Sequence, residues 1–212
     1  ILKMKKDINK NYWNNFYKKK HVSKPTLFAK FCVSKLRNYN KTIYDIGCGN
    51  GRDTVFFNKK KINSIGIDKS YSAIKKNKKN FKKLRNKFIN KNFCSFFTYK
   101  NFDFPFSVYS RFTLHSINYS EEKKLLNSLN KQKKLEYIFI ECRTIKDDIY
   151  GKGKKVGKHE FVDTHYRRFI DPKEIKRRLS KHFKISYFKE SKNFAKFKKE
   201  NPCILRMIAK KK

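Results

Sequence analysis

Apolar residues return at helical spacing between residues 24 and 37. There Leu27, Phe28, Phe31, Cys32 and Leu36 share a face behind Pro25, a residue tolerated at a helix start. Residues 9–20 predict a preceding helix, so the first 38 residues read as a helical cap. Short apolar runs then predict buried strands at Lys41–Ile46, Ile62–Ile67, Phe106–Phe112 and Leu135–Cys142, with a weaker one at Phe88–Asn90. Helices are expected over Gly51–Asn58, over Ser70–Lys87, and from a Ser120 cap to Asn130 with Glu121 and Glu122 in the favourable first turn. A further helix starts at Asp171-Pro172 and runs to about Lys181. Phe183–Lys189 and Cys203–Ala209 read as a closing hairpin. Residues 143–169 show no period, and so long a loop in a compact domain is often functional. Strands alternating with helices predict an α/β domain with a mostly parallel sheet, helices on both faces, and one domain over residues 1–212.

Composition narrows the class. With 38% hydrophobic and 16% aromatic residues, the chain can bury a core despite its charge. No apolar run reaches the roughly 18 residues of a membrane span, and no charged-then-apolar leader opens the sequence. Five scattered cysteines without a CxxC argue against a disulfide scaffold or structural zinc and suit a reducing cytoplasm. The net charge is +39. Lys outnumbers Arg more than fourfold, and residues with A/T-rich codons fill over half the chain, which fits genome composition. A selected polyanion surface is the other reading, and under either the field favours anions and permits weak, nonspecific nucleic-acid binding.

In a chain with seven glycines, their placement carries information. Gly47, Gly49 and Gly51 cluster after a predicted strand and before a helix, as a nucleotide-type ligand site requires. The spacing is GxGxG. Arg52 stands where a dinucleotide fingerprint wants glycine, and the Gly-Lys-Ser/Thr of a phosphate loop is absent. Asp45 precedes the loop, placed to orient a cationic amino group. Asp68 closes the next strand, where a carboxylate can accept from both ribose hydroxyls. Gly151, Gly153 and Gly157 form a second cluster.

Asp-Ile-Gly-Cys-Gly-Asn-Gly (45–51) followed by Gly-Ile-Asp (66–68) resembles motif I and the acidic loop of class I S-adenosylmethionine-dependent methyltransferases. Tyr12-Trp13-x-x-Phe16-Tyr17 and the 47–53 stretch look closest to bacterial small-molecule enzymes of the tellurite-resistance and thiopurine type. The resemblance implies a Rossmann-like seven-stranded sheet with an antiparallel last strand, and S-adenosylmethionine as cofactor. It implies that Asp45, Gly47, Cys48, Gly49, Gly51 and Arg52 surround the methionine part, Asp68 with Lys69 the ribose, and Asn92 with Phe93 the adenine. Arg111, closing the fourth strand, is grouped with them. Asn92 stands where the family often has Asp, and its carbonyl can still accept from the adenine amino group.

Ligands of open α/β sheets sit at the carboxyl ends of the strands. His115 is a candidate base there, with a structural histidine as the alternative, and His165 is a second candidate. Glu141 and Arg143 flank Cys142; Glu141, if buried, needs a partner. Residues 143–169 are expected to form a substrate-side lid in which Tyr150, Lys152, His165, Tyr166 and Arg167 face the acceptor, Arg167 forking onto an anion. Trp13, Tyr17 and Arg143 complete the expected acceptor site. No ligand set for a metal is recognised. The leading expectation is a methyltransferase for a small, anionic metabolite, with oxygen favoured as acceptor. The alternatives are an RNA methyltransferase of cap-like type and a non-catalytic cofactor-binding protein.

Overall fold

A computed structural model describes residues 12, 13, 15, 16, 24–36, 41–197 and 200–212. The first strands are largely buried runs of three to nine residues whose neighbours alternate between the two faces of one sheet. They are β1 (Thr42–Ile46), β2 (Ser64–Asp68), β3 (Phe88–Asn90), β4 (Phe106–Arg111) and β5 (Leu135–Arg143). Closing the sheet are β9 (Phe183–Ser191) and β10 (Ile204–Lys211), in the order β3-β2-β1-β4-β5-β10-β9. β10 runs antiparallel to both neighbours, and the first five strands pair in parallel. This is the expected seven-stranded sheet with a reversed last strand.

Three helices line one face: α1 (Leu27–Lys35), α2 (Arg52–Lys59) and α3 (Tyr71–Asn80). Their layer includes Phe28, Cys32 and Phe57 packed on Tyr109 and Phe139. The opposite face carries α4 (Phe93–Phe96), α5 (Tyr119–Asn130) and α6 (Pro172–Ser180) over Tyr44, Ile46, Val108 and Ile140. Each fully buried Phe there contributes roughly 1.5–3 kcal/mol of apolar transfer free energy.

Several boundaries differ from expectation. The helix predicted over Ser70–Lys87 stops at Asn80, because Phe81 takes φ −118°, ψ 61°, and a 3-10 segment follows over Lys82–Lys87. The cap of α5 is Asn118 rather than Ser120, in a reciprocal box with Glu121. That exchange satisfies two backbone donors at once. Thr26, not the residues before it, caps α1 by accepting from the Ala29 N–H. β4 ends one residue early because Phe112 adopts a left-handed φ of +56°. Of the helix expected over 9–20, the described residues are helical, and the rest, Tyr17 included, lies outside them.

Residues 143–169 are not an aperiodic loop. They hold a second antiparallel sheet, β6 (Lys154–Gly157), β7 (Glu160–Val162) and β8 (Tyr166–Arg168). Strands of three or four residues, exposed on β6, are too short to show a period. Gly153 lies where a Cβ would fall 2.5 Å from the Val162 carbonyl oxygen, so its glycine serves strand approach rather than lid motion.

A buried ion cluster docks this small sheet on the main fold. Glu122 of α5 is wholly buried and pairs with Arg168 of β8 and Arg178 of α6. Arg168 also donates to the carbonyls of Ile117 and Leu114, 3.1 and 3.3 Å away, just beyond β4. Removing the acid strands the buried Arg168 guanidinium and takes the nearer partner from Arg178, which keeps Glu174 at 3.9 Å. Glu122→Ala is therefore expected to destabilise the chain by roughly 3–5 kcal/mol, read as a lowered urea midpoint at unchanged slope. A midpoint equal to wild type would contradict it.

Candidate active site

The carboxyl ends of β1, β2, β4 and β5 open into a cleft of about 810 Å³. Its floor is the loop after β1. Trp13, Phe16 and Thr26 wall one side, and the β9–β10 hairpin loop, with Phe194 and Phe197, walls another.

The loop has its shape for steric reasons. Gly47 sits at φ +69°, and a Cβ there would lie 2.7 Å from the Thr113 Oγ1. That hydroxyl donates to the Ile46 carbonyl at 2.7 Å, locking the turn from β4. Gly49, at φ +52°, donates its N–H to Asp68 Oδ2 at 2.8 Å, and its carbonyl accepts from Asn77 Nδ2 at 2.8 Å. A bare backbone thus faces the cleft at Gly47 and Gly49, beside Cys48 and Arg52, all four on the wall as expected. Gly51 is a correction: it lies off the wall and heads α2, where a Cβ would meet the Phe88 ring at 2.7 Å.

Three buried carboxylates ring this loop in a strongly cationic chain. Asp45 accepts from the Thr54 hydroxyl at 2.6 Å, and burial, then the nearby Asp53 carboxylate, push its pKa up to about 8. Asp68 is raised by burial and held back by the N–H groups of Ser70 and Gly49. Asp53, at the start of α2, was not anticipated. It accepts from the Thr26 N–H and hydroxyl, both at 2.8 Å, and from the Tyr109 hydroxyl at 2.7 Å. It thereby clasps the chain before α1 over the cleft.

At the β5 side, alternation puts Arg111, Glu141 and Arg206 on the face that carries Tyr109, Phe139 and Ile208. Arg111 Nε reaches Glu141 Oε1 at 3.0 Å, and Arg206 Nε reaches Oε2 at 2.6 Å. The buried acid has the partner it requires. Arg206 also grips the Phe194 carbonyl at 2.8 Å, fixing the hairpin loop. Phe112, between β4 and the next turn, lies under the Arg111 guanidinium at 4.2 Å. Its left-handed backbone costs of order 1–3 kcal/mol, a strain that collects at functional sites.

Other expected residues stand elsewhere. Asn92 lies off the cleft wall and caps α4 by accepting from the Cys94 N–H at 3.0 Å, while Phe93 and Lys69 do line the cleft. His115 is buried behind Phe112, ring centroids 5.1 Å apart, without a partner for Nδ1 among the described residues. Burial, then the Arg143 charge, holds it well below the usual histidine range, so it is neutral. His165 stacks on Tyr12 at 4.0 Å and is pushed down to about 4 by burial. Neither imidazole is on the wall; His165 instead props the turn that presents Trp13. Tyr166 is buried against Glu160, and Tyr150, itself exposed, packs edge-on against Phe161 and Phe169. Lys152 is exposed near the same sheet, and Arg167 lies behind the wall with Asp163 at 4.0 Å. The expected lid is thus a docked support. Arg143 does reach the cleft, but its Nη atoms bind Asp147 at 3.1 Å and Glu200 at 2.6 Å. Thr113, Asn77 and the hairpin loop carried no motif in the sequence, and Asp53, the last residue of the 47–53 stretch, had no role assigned to it.

Residues 43–132 match the family model for a methyltransferase domain. Among solved structures, the glycopeptide N-methyltransferase MtfA, complexed with S-adenosyl-L-homocysteine, aligns with a TM-score of 0.66 at 13% identity, over 89% of this chain and 90% of its own. An S-adenosylmethionine-dependent methyltransferase from Archaeoglobus fulgidus aligns at 0.58 and 19% identity, over 86% and 94%. Magnesium protoporphyrin IX methyltransferase from Synechocystis PCC 6803, with S-adenosyl-L-homocysteine bound, aligns at 0.63 and 12% identity, over 87% and 80%. No curated protein sequence matches significantly. The sheet order, the glycine loop and the matched segment together give the chain the fold of class I S-adenosylmethionine-dependent methyltransferases, with residues 43–132 similar to a methyltransferase domain.

Proposed function

We propose that the chain transfers a methyl group from S-adenosylmethionine to a small acceptor held between Trp13, Phe112 and the β9–β10 hairpin loop. The observation that carries this reading is the ring of buried Asp45, Asp53 and Asp68 around a bare glycine turn in a chain of net charge +39. Buried acids in this number, one of them holding a proton that an approaching cation can displace, suit a ligand with an ammonium and a sulfonium, and the glycine backbone admits its amino-acid part. Asp45 would hold the ammonium, Asp68 the ribose hydroxyls through its remaining lone pairs, and Phe93 the adenine edge. S-adenosylmethionine supplies an electrophilic methyl carbon that a nucleophile displaces in line. The chain's residues contribute alignment and a wall that excludes water. The described wall includes no histidine, which suits an acceptor whose nucleophilic atom has no proton to surrender.

Two outcomes are expected. Asp68→Ala should weaken S-adenosylmethionine binding by roughly 1–3 kcal/mol in calorimetry, because a buried charged acceptor is lost. Wild-type affinity would remove Asp68 from the site. The second concerns pH. The Asp45 pKa is about 8 in the folded chain, against the ordinary aspartate value of 3.8, so between these values the folded state holds a proton that the unfolded state has lost. Stability from this group therefore falls as pH rises, and Asp45→Asn should melt higher than wild type near pH 8, with the gap closing toward pH 4. The same variant should bind the cofactor more weakly, since a positive ligand draws the proton off Asp45. Parallel melting curves across that range would refute the assignment.

A further inference from the structure

We infer that Arg111 is the fork that recognises the acceptor, so that the acceptor carries a carboxylate or phosphate group bound end-on by its two terminal guanidinium nitrogens. The inference deepens the methyl-transfer reading and rests on it.

Three arginines stand at this end of the cleft, and two of them are already occupied. Arg143 is occupied by Asp147 and Glu200. Arg206 is occupied by Glu141 and the Phe194 carbonyl. Arg111 has spent only Nε, on Glu141 at 3.0 Å. The Arg111 side chain makes no other hydrogen bond or ion pair among the described residues, although it is only 20% exposed and lines the cleft. The terminal Nη pair, with four N–H donors, is the part a planar or tetrahedral oxyanion engages in parallel.

The guanidinium is also oriented in advance. Its Nε edge is fixed by a carboxylate that is 1% exposed, and its face rests on Phe112 at 4.2 Å. Glu141 divides its charge between two guanidiniums, so the Arg111–Glu141–Arg206 group keeps one uncompensated positive charge beside the cleft. Register decides which ligand receives it. Arg111 pairs with Glu141 across β4 and β5, and its side chain leans to β5, whereas the glycine loop lies on the β1 side of β4. The fork is therefore at the acceptor end. Because Glu141 also holds Arg206, and Arg206 the Phe194 carbonyl, the fork and the aromatic hairpin wall are set by one acid.

The test uses the whole chain and four probes. Binding of S-adenosylhomocysteine is measured first by calorimetry, and its absence would overturn the methyl-transfer reading itself. Benzoate and phenyl phosphate, with benzamide and benzyl alcohol as neutral counterparts, are then titrated into the cofactor-saturated chain by NMR. We expect one anion to bind at least about tenfold tighter than its neutral counterpart, the two arms separating carboxylate from phosphate. Arg111→Gln should erase that preference, and Arg111→Lys should weaken it about tenfold, since a point charge does not reproduce the fork. S-adenosylhomocysteine affinity should change by less than about twofold in both. Equal binding of anions and neutral probes by the wild-type chain would overturn the proposal without any variant. So would an unchanged preference in Arg111→Gln. A loss confined to S-adenosylhomocysteine would also overturn it, assigning the fork to the cofactor carboxylate.

Discussion

Parallel strands end together, and every charged side chain at that edge has to be partnered or bound. In this chain the edge of β1, β2, β4 and β5 carries Asp45, Asp68, Arg111 and Glu141, all buried or nearly so. Uncompensated burial of any one of them would cost several kcal/mol. The structure meets this in two ways. At the β5 side it closes a local circuit, Arg111–Glu141–Arg206. At the β1 side it leaves Asp45, Asp53 and Asp68 with hydroxyl and backbone donors and no cation of the chain in an ion pair among the described residues. The first solution rigidifies; the second leaves acids that no cation of the chain neutralises among the described residues, with Asp45 protonated up to about pH 8.

The same division separates the two ends of the cleft. The cofactor end is built from backbone, with the turn shaped by Thr113 against Gly47 and by Asn77 against the Gly49 carbonyl. Small errors there are intolerable, and the packing allows none. The proposed acceptor end is built from side chains on separate elements: Trp13 from the N-terminal turn, Phe112 beyond β4, Phe194 and Phe197 from the hairpin. Such a wall can change its specificity without disturbing the turn, which is how one fold serves many acceptors.

The small β6–β8 sheet joins these parts from behind. Through Arg168 it holds the carbonyls that follow β4, and through His165 it props the turn bearing Trp13. Its glycines permit close strands, and its buried Tyr166 and Glu160 make it a support for the wall.

The elements and the cofactor loop were legible in the sequence because both are local. A run of buried β residues, a left-handed glycine turn and the acid at the next strand's end are each read within a few residues of chain. The position of Glu141 inside a strand also showed that it would need a partner if buried. What it paired with was not legible. Arg111 and Arg206 lie 30 and 65 residues away, and any of several arginines could have served. Asp53, Thr26 and Tyr109 form one network across three distant elements for the same reason. His115 and Arg167 looked chemical in the chain, and only tertiary packing decided that one is buried behind Phe112 and the other behind the wall. Local backbone geometry is written in adjacent residues. The direction of a side chain, and which charge neutralises which, is set by what the folded chain brings against it.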